Sequence, residues 1–532
     1  MNSRLPAHED SHSVSNVFGW AAVSIVLAIG VWLRIHFARE PFWVDELHTA
    51  WAIDCDFSKV AERAGQGNQT PLYFWLLWAL QSVVGYSDSL LRGVSVTLGA
   101  SVMLVVGWLT LRLTNSLSAV VVAIVIVAFD PIHLYYASEA RPYVLLQLLG
   151  AIQVASVTLL IAEKSQERQL RLRWLRLFVT SATTALLLLT HVTGLWLVVA
   201  EFVFLAATWR WKPQRDLLVA ITLGSLAMTI ALPVMQGAFA KRSDWWAVSD
   251  IDSFIQQAGT LAGVLAIPTI IATLNAFRKK PDAAAMGVAP KLHVALLLAT
   301  CCLIPFLIVI AAQLCRFAPL ASMRYAIVGW VPTALLAAYA TFAIGAKHIR
   351  VAVAILAIAV FAFTNPLLQN VWQTGQLAHF RNENWPQAVA QISKDDAKIV
   401  FLFANLVEDS RLKTVGKSDH GFIDYLKFPL VSPAANASLA SNVSPAANLQ
   451  AQQIAPMPTL TGQRWTDEHL QMLNNNETGW IVMRAPPALA DEITSELTSR
   501  ATQQQISLDL TSFEQDRNDI RLVRFRVVSD KE

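Results

Sequence analysis

Arg34-Ile-His-Phe-Ala-Arg-Glu-Pro-Phe-Trp-Val-Asp45-Glu46-Leu-His48 directly follows the first long apolar run of the chain. It sets two adjacent carboxylates and a histidine where a membrane helix would hand over to water. A bilayer spanned by uncharged side chains needs no such cluster, so ionisable groups gathered at one face of a polytopic chain point to a functional site. A solvated loop could also carry one Asp-Glu pair, and the remainder of the sequence has to decide between the two.

Composition sets the class. Of 532 residues, 55% are apolar, 15% are charged and 18 are Trp, outside the range of a soluble globule. The net charge is only +3, and the basic residues sit in short clusters between apolar runs rather than in one patch, which argues against nucleic acid as a partner. The four cysteines, Cys55, Cys301, Cys302 and Cys315, lack metal-ligand spacing, so neither a disulfide framework nor a zinc site is indicated; a Cys55–Cys315 bridge stays open. The polar tail 1–16 has no signal-peptide layout, and the run after it has no small-residue cleavage site, so that run is expected to stay as an anchor.

Runs near the twenty residues needed to span occur at about 17–37, 92–111, 117–137, 142–162, 174–190, 192–209, 217–236, 256–275, 292–314, 325–346 and 350–369. The loops test this count of eleven. Lys164–Arg176 carries five basic residues, Arg210–Arg215 three, Phe277–Lys291 four and Lys347–Arg350 two. With the N-terminus in the cytoplasm, eleven spans keep all four loops inside, as the positive-inside rule requires. They put Asp45, Ser138–Arg141, His191, Lys241–Asp250 and Arg316–Arg324 outside.

Within a first outer segment of about 38–91, the stretch from Pro71 to Val84 is apolar and aromatic but too short to cross: fourteen residues rise ~21 Å as a helix against a hydrocarbon core of ~30 Å. It reads as an interfacial helix over 71–84, with Tyr73, Trp75 and Trp78 suited to the headgroup level. Beyond 369 the hydropathy collapses, and 370–532 reads as a separate, extracytoplasmic α/β domain. Helices are expected at Trp385–Ile392 and Ala488–Ala501, and strands at Lys398–Phe403, Gly479–Met483 and Ile520–Val527. A low-complexity loop is expected at Ser432–Pro458. No catalytic constellation is visible in this domain, whose expected role is acceptor docking or a structural cap. The fold class is therefore an all-α polytopic membrane domain over 17–369 followed by a small α/β domain.

A second charged cluster, Asp130-Pro-Ile-His133-Leu-Tyr-Tyr136-Ala-Ser138-Glu139-Ala-Arg141-Pro-Tyr143, brings both signs of charge to the outer end of the third and fourth runs. Together with Trp43-Val-Asp-Glu-Leu-His, Gln69-Thr-Pro-Leu-Tyr-Phe, Thr190-His191, and Arg324-Tyr325 with Pro332 beyond it, the chain resembles the GT-C membrane glycosyltransferases. Among these it resembles in particular the bacterial relatives of protein O-mannosyltransferases and of the enzymes that add aminoarabinose or galacturonic acid to lipid A. The resemblance covers about 17–370 through short motifs. Where those relatives often have His-Pro-Pro before the interfacial helix, this chain has Asn68-Gln69-Thr70-Pro71.

The resemblance implies an integral enzyme of the cytoplasmic membrane that moves a sugar from a polyprenyl-phosphate donor to an envelope lipid, glycan or protein, with inversion. Such a reaction calls for a carboxylate to take the acceptor proton, and the first-loop Asp45 has that role in the resembling family; an acceptor already anionic would leave Asp45 only an orienting role. The leaving polyprenyl phosphate calls for fixed cations, preferably guanidinium groups that grip two oxygens. Arg141 and Arg324 are best placed. Arg34, Arg92 and Arg316 compete, each with a snorkelling headgroup contact as the plain alternative. Glu139 is a second acidic candidate, for sugar hydroxyls or for a divalent cation held with Glu46 or His48. His191, Tyr143 and Tyr325 complete the candidates, and Glu201 lies in mid-span with no partner visible in the sequence. A transporter or flippase of lipid-linked sugars is the alternative. It predicts internal repeats and broken midplane helices, and no repeat is found. A glycan polymerase or ligase would instead use Gly237–Ile251, with Lys241, Arg242, Asp244, Trp245 and Trp246.

Overall fold

A computed structural model of the protein describes residues 10–162, 170–210, 214–240, 251–259, 265, 270, 292–344, 346–406, 409, 412, 420–431, 452–459, 464–513 and 519–528. The expected run 256–275 and loop Ser432–Pro458 lie largely outside these residues, and the segment Lys241–Asp250 lies wholly outside them. The chain forms two compact units: Met1–Ala38, Ala64–Leu77 and Ser89–Ala378 in one, Arg39–Arg63, Trp78–Asp88 and His379–Glu532 in the other. The first ten helices are α1 (Asp10–Phe37), α2 (Val44–Ile53), α3 (Phe57–Gln66), α4 (Leu72–Val84), α5 (Asp88–Thr114), α6 (Leu117–Phe129), α7 (Pro131–Ala137), α8 (Tyr143–Ala162), α9 (Leu170–Thr190) and α10 (Gly194–Thr208).

In the first unit, six described helices are long and apolar enough to cross a membrane, and up to nine spans result if each of three bent pairs counts as one. The outward face of α1 exposes Phe18, Trp20, Ile25, Ile29, Trp32 and Ile35, an apolar stripe of the kind a bilayer covers. Three of the expected runs are broken rather than straight: α6 meets α7 at 62°, Arg215–Ser225 meets Met228–Gly237 at 52°, and His348–Thr364 meets Pro366–Thr374 at 67°.

Two of those breaks follow from an Asx-Pro pair. The residue before a proline is pushed out of the helical region, and Asp130 (φ −64°, ψ 128°) and Asn365 (φ −77°, ψ 116°) both adopt extended backbone. Each then caps the next helix, with Pro at its first position. The Asp130 carboxylate accepts from the backbone of Ile132 and His133 at 2.9 and 3.0 Å, and Asn365 Oδ1 accepts from Leu367 and Leu368 at 3.0 and 3.3 Å. The carbonyls orphaned at the end of α6 are met by side chains. Arg34 donates to Val127 O at 2.9 Å and Ala128 O at 3.3 Å, and Asn365 Nδ2 donates to Phe129 O at 2.7 Å. Gly99 of α5 is what lets these parts close up: a Cβ there would lie 2.5 Å from Ala137 Cβ and 3.0 Å from Arg34 Nε.

In the second unit, five strands, β1 (Ile399–Phe403), β2 (Gln453–Pro456), β3 (Thr478–Arg484), β4 (Ser507–Phe513) and β5 (Ile520–Val528), form a sheet in the order β2-β1-β3-β5-β4. β1 pairs in parallel with β2 and β3, and β5 pairs antiparallel with β3 and β4. Every residue of β1 is buried, as a strand inside a parallel pair requires. Ile399, Phe401, Phe403, Ile481, Met483, Val523 and Phe525 form its core with Trp465 and with Ile493 and Leu497 of the helix Pro487–Gln503. The expected helix Trp385–Ile392 is present, as are the three expected strands. β2 falls inside the expected loop Ser432–Pro458, and β4 and the helices His420–Val431 and Asp467–Asn474 are additional to the expected elements.

Candidate active site

In the first unit the turn at Asp130 aims α7 so that its last turn, the linker 138–142 and the start of α8 bring one cluster together. Glu139 and Arg141 are buried in that linker. The rings of Tyr136 and Tyr143 lie 4.6 Å apart and those of Tyr143 and His191 5.1 Å apart, while Arg141 sits over Tyr143 at 5.7 Å. Arg324, in the short helix Met323–Ala326, sits over Tyr325 at 4.9 Å. The charges of Glu139, Arg324 and Arg141 all act on Tyr136, and both guanidinium groups act on His191. Among the expected site residues, Glu139, Arg141, Tyr143, His191, Arg324 and Tyr325 are thus brought together. Tyr136 joins them, and its place three residues before Glu139 in the sequence was the available signal.

His191 lies in the turn between α9 and α10, with Nδ1 2.8 Å from Thr193 Oγ1. Burial, reinforced by Arg141 and Arg324, pushes its pKa down to about 3. It is therefore a neutral imidazole near pH 7, and the positive charge of the cluster resides on two guanidinium groups. A planar guanidinium fork can offer two parallel donors to a dianion and keeps its charge at any physiological pH.

The other arginines are placed differently. Arg34 is 1% exposed and spends its donors on the α6 carbonyls, which is neither a headgroup contact nor a position in the tyrosine cluster. Arg92 is buried and donates to Ala38 O at 3.2 Å, whereas Arg316 is exposed on a left-handed turn (φ 52°). Glu201 does have a partner, since Gln153 Nε2 donates to it at 2.9 Å and also to Thr184 Oγ1 at 2.9 Å.

In the second unit, Asp45 and Glu46 occupy the first turn of α2, where the helix dipole favours carboxylates. Asp45 is half-buried and Glu46 fully buried. Glu46 pairs with Arg381 at 3.3 Å, and Arg381 also reaches Glu40 at 3.4 Å. Glu383 accepts from the backbone N–H of Val44 at 2.9 Å, from Trp385 Nε1 at 2.8 Å and from Arg484 Nε at 2.6 Å. Burial works against the Arg484 charge, but Glu383, Asp45 and Asp519 outweigh it and raise its pKa above the ordinary guanidinium value. His48 stacks edge-on to Tyr425 at 5.0 Å and Trp51 at 5.8 Å, in aromatic rather than ligand contacts. An open cavity of about 530 Å³ lies at the far end of α2, lined by Asp54, Lys59, Arg63, Trp78 and Gln81 among others, and does not include Asp45.

Among the described residues no three His, Cys, Asp or Glu side chains converge as a metal site, so the divalent cation considered from sequence has no ligand set to derive a step from. Cys55 and Cys315 are both free thiols.

No protein-family model and no curated protein matches the chain. Solved structures do. ArnT from Cupriavidus metallidurans bound to undecaprenyl phosphate matches with a TM-score of 0.53 at 14% identity, over 96% of this chain and 98% of that one. Its apo state matches with a TM-score of 0.54 at 13% identity over the same shares. A weaker likeness, with a TM-score of 0.44 at 13% identity, is to the apo oligosaccharyltransferase of Archaeoglobus fulgidus, over 88% of this chain and 69% of that one. From first helix to last strand, the chain has the GT-C fold seen in ArnT.

Proposed function

We propose that the protein is a membrane glycosyltransferase that takes a sugar from a polyprenyl-phosphate donor and passes it to a hydroxyl of an envelope lipid, glycan or protein at the outer face of the cytoplasmic membrane. The observation that carries this reading is the pairing of two guanidinium groups, Arg141 and Arg324, with Tyr136, Tyr143 and a neutral His191. The fold supports it, because ArnT, which shares that fold, binds undecaprenyl phosphate.

In the proposed reaction the acceptor oxygen attacks the anomeric carbon as Asp45 takes its proton, and the bond from that carbon to the phosphate oxygen breaks with its electron pair going to the phosphate. The polyprenyl phosphate leaves as a dianion, with Arg141 and Arg324 holding the added charge. Attack opposite the leaving group inverts the anomeric centre. A positioned base contributes ~10²–10⁴ in rate. Glu139 is assigned to the sugar hydroxyls, and Glu46, engaged by Arg381, to the support of α2. The proposed orientation has the N-terminus inside and the C-terminal domain outside.

The test is transfer from purified undecaprenyl-phosphate sugars by arginine variants. Arg141→Ala and Arg324→Ala should each cost ~2–4 kcal/mol of transition-state stabilisation, the scale of a preorganised charge-stabilising donor. Lysine at either position should recover only part, since a point charge cannot reproduce the fork. Normal turnover by both alanine variants would remove the pair from the reaction.

A further inference from the structure

The helix that carries Asp45 has no N-terminal cap of its own: the capping position is Trp43, whose side chain makes no capping hydrogen bond. The first turn of a helix leaves N–H groups unsatisfied, and beside a catalytic base that end has to be held still. The carboxylate that meets it comes from 339 residues further along the chain, where Glu383 accepts the N–H of Val44, the residue immediately before Asp45, at 2.9 Å.

Glu383 is itself only 3% exposed, and its two oxygens are shared among three donors. Oε2 takes the Val44 N–H and Trp385 Nε1, while Oε1 takes Arg484 Nε at 2.6 Å. Arg484, at the end of the central strand β3, is in turn fixed by donating Nη1 to Asn405 O at 3.0 Å. The chain of contacts therefore runs from the middle of the sheet, through one guanidinium and one carboxylate, to the backbone next to Asp45. Arg381, two residues before Glu383, pairs with Glu46, the next residue after Asp45, and with Glu40. A domain that served only as a cap would not need a buried ion pair aimed at one peptide N–H, because such a pair is costly unless every bond is made.

We infer that Glu383 and Arg484 are positioning residues for Asp45, and that this is what the C-terminal α/β domain contributes to the reaction. The inference rests on Asp45 being the base, as proposed above. Both residues act by fixing where the Asp45 carboxylate lies when the acceptor proton leaves, and a misplacement of about 1 Å in such geometry costs on the order of 10²-fold in rate.

The full-length protein in liposomes is given a hydroxyl acceptor together with undecaprenyl phosphates carrying mannose, aminoarabinose or galacturonic acid, and kcat and KM are measured on the donor it uses. Glu383→Ala is expected to lower kcat about 10²-fold with the donor KM within about twofold. Arg484→Lys, which keeps the charge and loses the fork, should lower kcat about tenfold. In an Asp45→Asn background, neither change should slow the enzyme further, because a residue acting only through Asp45 has nothing left to act on. Parent-like kcat in Glu383→Ala and Arg484→Lys, with Asp45→Asn inactive, overturns the inference and leaves the proposed function standing; a further loss in the double variants also overturns it. Full activity in Asp45→Asn, or turnover of none of the three donors by the parent, overturns the reading on which it rests. Should Glu383→Ala fail to accumulate, Arg484→Lys decides by the same two comparisons.

Discussion

Replacing Arg34 by methionine keeps most of the side-chain volume and removes the donors that close the break between α6 and α7. The guanidinium holds Val127 O at 2.9 Å and Ala128 O at 3.3 Å; its third bond, 2.9 Å to Gly30 O, goes to a carbonyl that already has a helical partner. Two carbonyls are therefore left bare. At ~1.5–3 kcal/mol for a bond from a charged donor, the loss is about 3–6 kcal/mol. Hydrogen bonds measured inside membrane proteins average nearer ~0.6 kcal/mol, which would make it about 1 kcal/mol. The site is enclosed by protein, which favours the larger value, but methionine also removes the cost of burying the charge. The balance gives about 2 kcal/mol of destabilisation, read by graded SDS unfolding in mixed micelles. Arg34→Lys should recover about half, since one ammonium cannot face both carbonyls equally. A methionine variant as stable as the parent, with a raised donor KM instead, would refute the capping role and restore Arg34 as a phosphate ligand.

Glu201→Gln should leave stability unchanged or raise it by up to about 1 kcal/mol, with transfer unaffected, because among the described residues no cation pairs with that buried carboxylate; a loss of activity would give Glu201 a role it lacks here. His191 is held neutral down to a pKa of about 3 while its unfolded value is near 6.5. The unfolded chain therefore binds a proton that the folded chain refuses as pH falls from about 6.5 to 3, and stability drops by up to about 1.4 kcal/mol per pH unit in that window. His191→Gln should flatten that part of the acid-unfolding profile, and an unchanged profile would show the imidazole to be solvated. Reporter fusions after Asn370 should be active only on the outer side, and fusions within 166–173 or 279–290 only in the cytoplasm; a cytoplasmic C-terminal domain would reverse the proposed orientation.

The sequence carries the membrane class, the Asp45 motif and the 136–143 half of the tyrosine-arginine cluster because each is local: long apolar runs, and charged residues within a few positions of one another; His191, Arg324 and Tyr325 were singled out through the family resemblance, and the fold joins them to it. The helix breaks were written in the same stretches as Asp130-Pro131 and Asn365-Pro366, but uninterrupted hydropathy hides a change of direction. Arg34 shows why the rest was not legible. Its partners are backbone carbonyls about 93 residues away, exposed only because α6 ends there. The same holds in the C-terminal domain. β1 and β3 announce themselves by being apolar throughout, whereas β2 and β4 are edge strands whose half-exposed residues carry little pattern. Arg381, Glu383 and Arg484 belong to no motif, and only the fold brings Arg484 to a carboxylate 101 residues earlier.

The role of Asp45 as the base of a sugar transfer from polyprenyl phosphate is decided by comparing the parent and Asp45→Asn in liposomes with undecaprenyl-phosphate sugars and a hydroxyl acceptor, following release of undecaprenyl phosphate. Turnover by the parent is expected, with a rate lower by ~10²-fold or more in the variant and unfolding shifted by no more than about 1 kcal/mol. Transfer by Asp45→Asn to that hydroxyl acceptor at the parent's rate would contradict it.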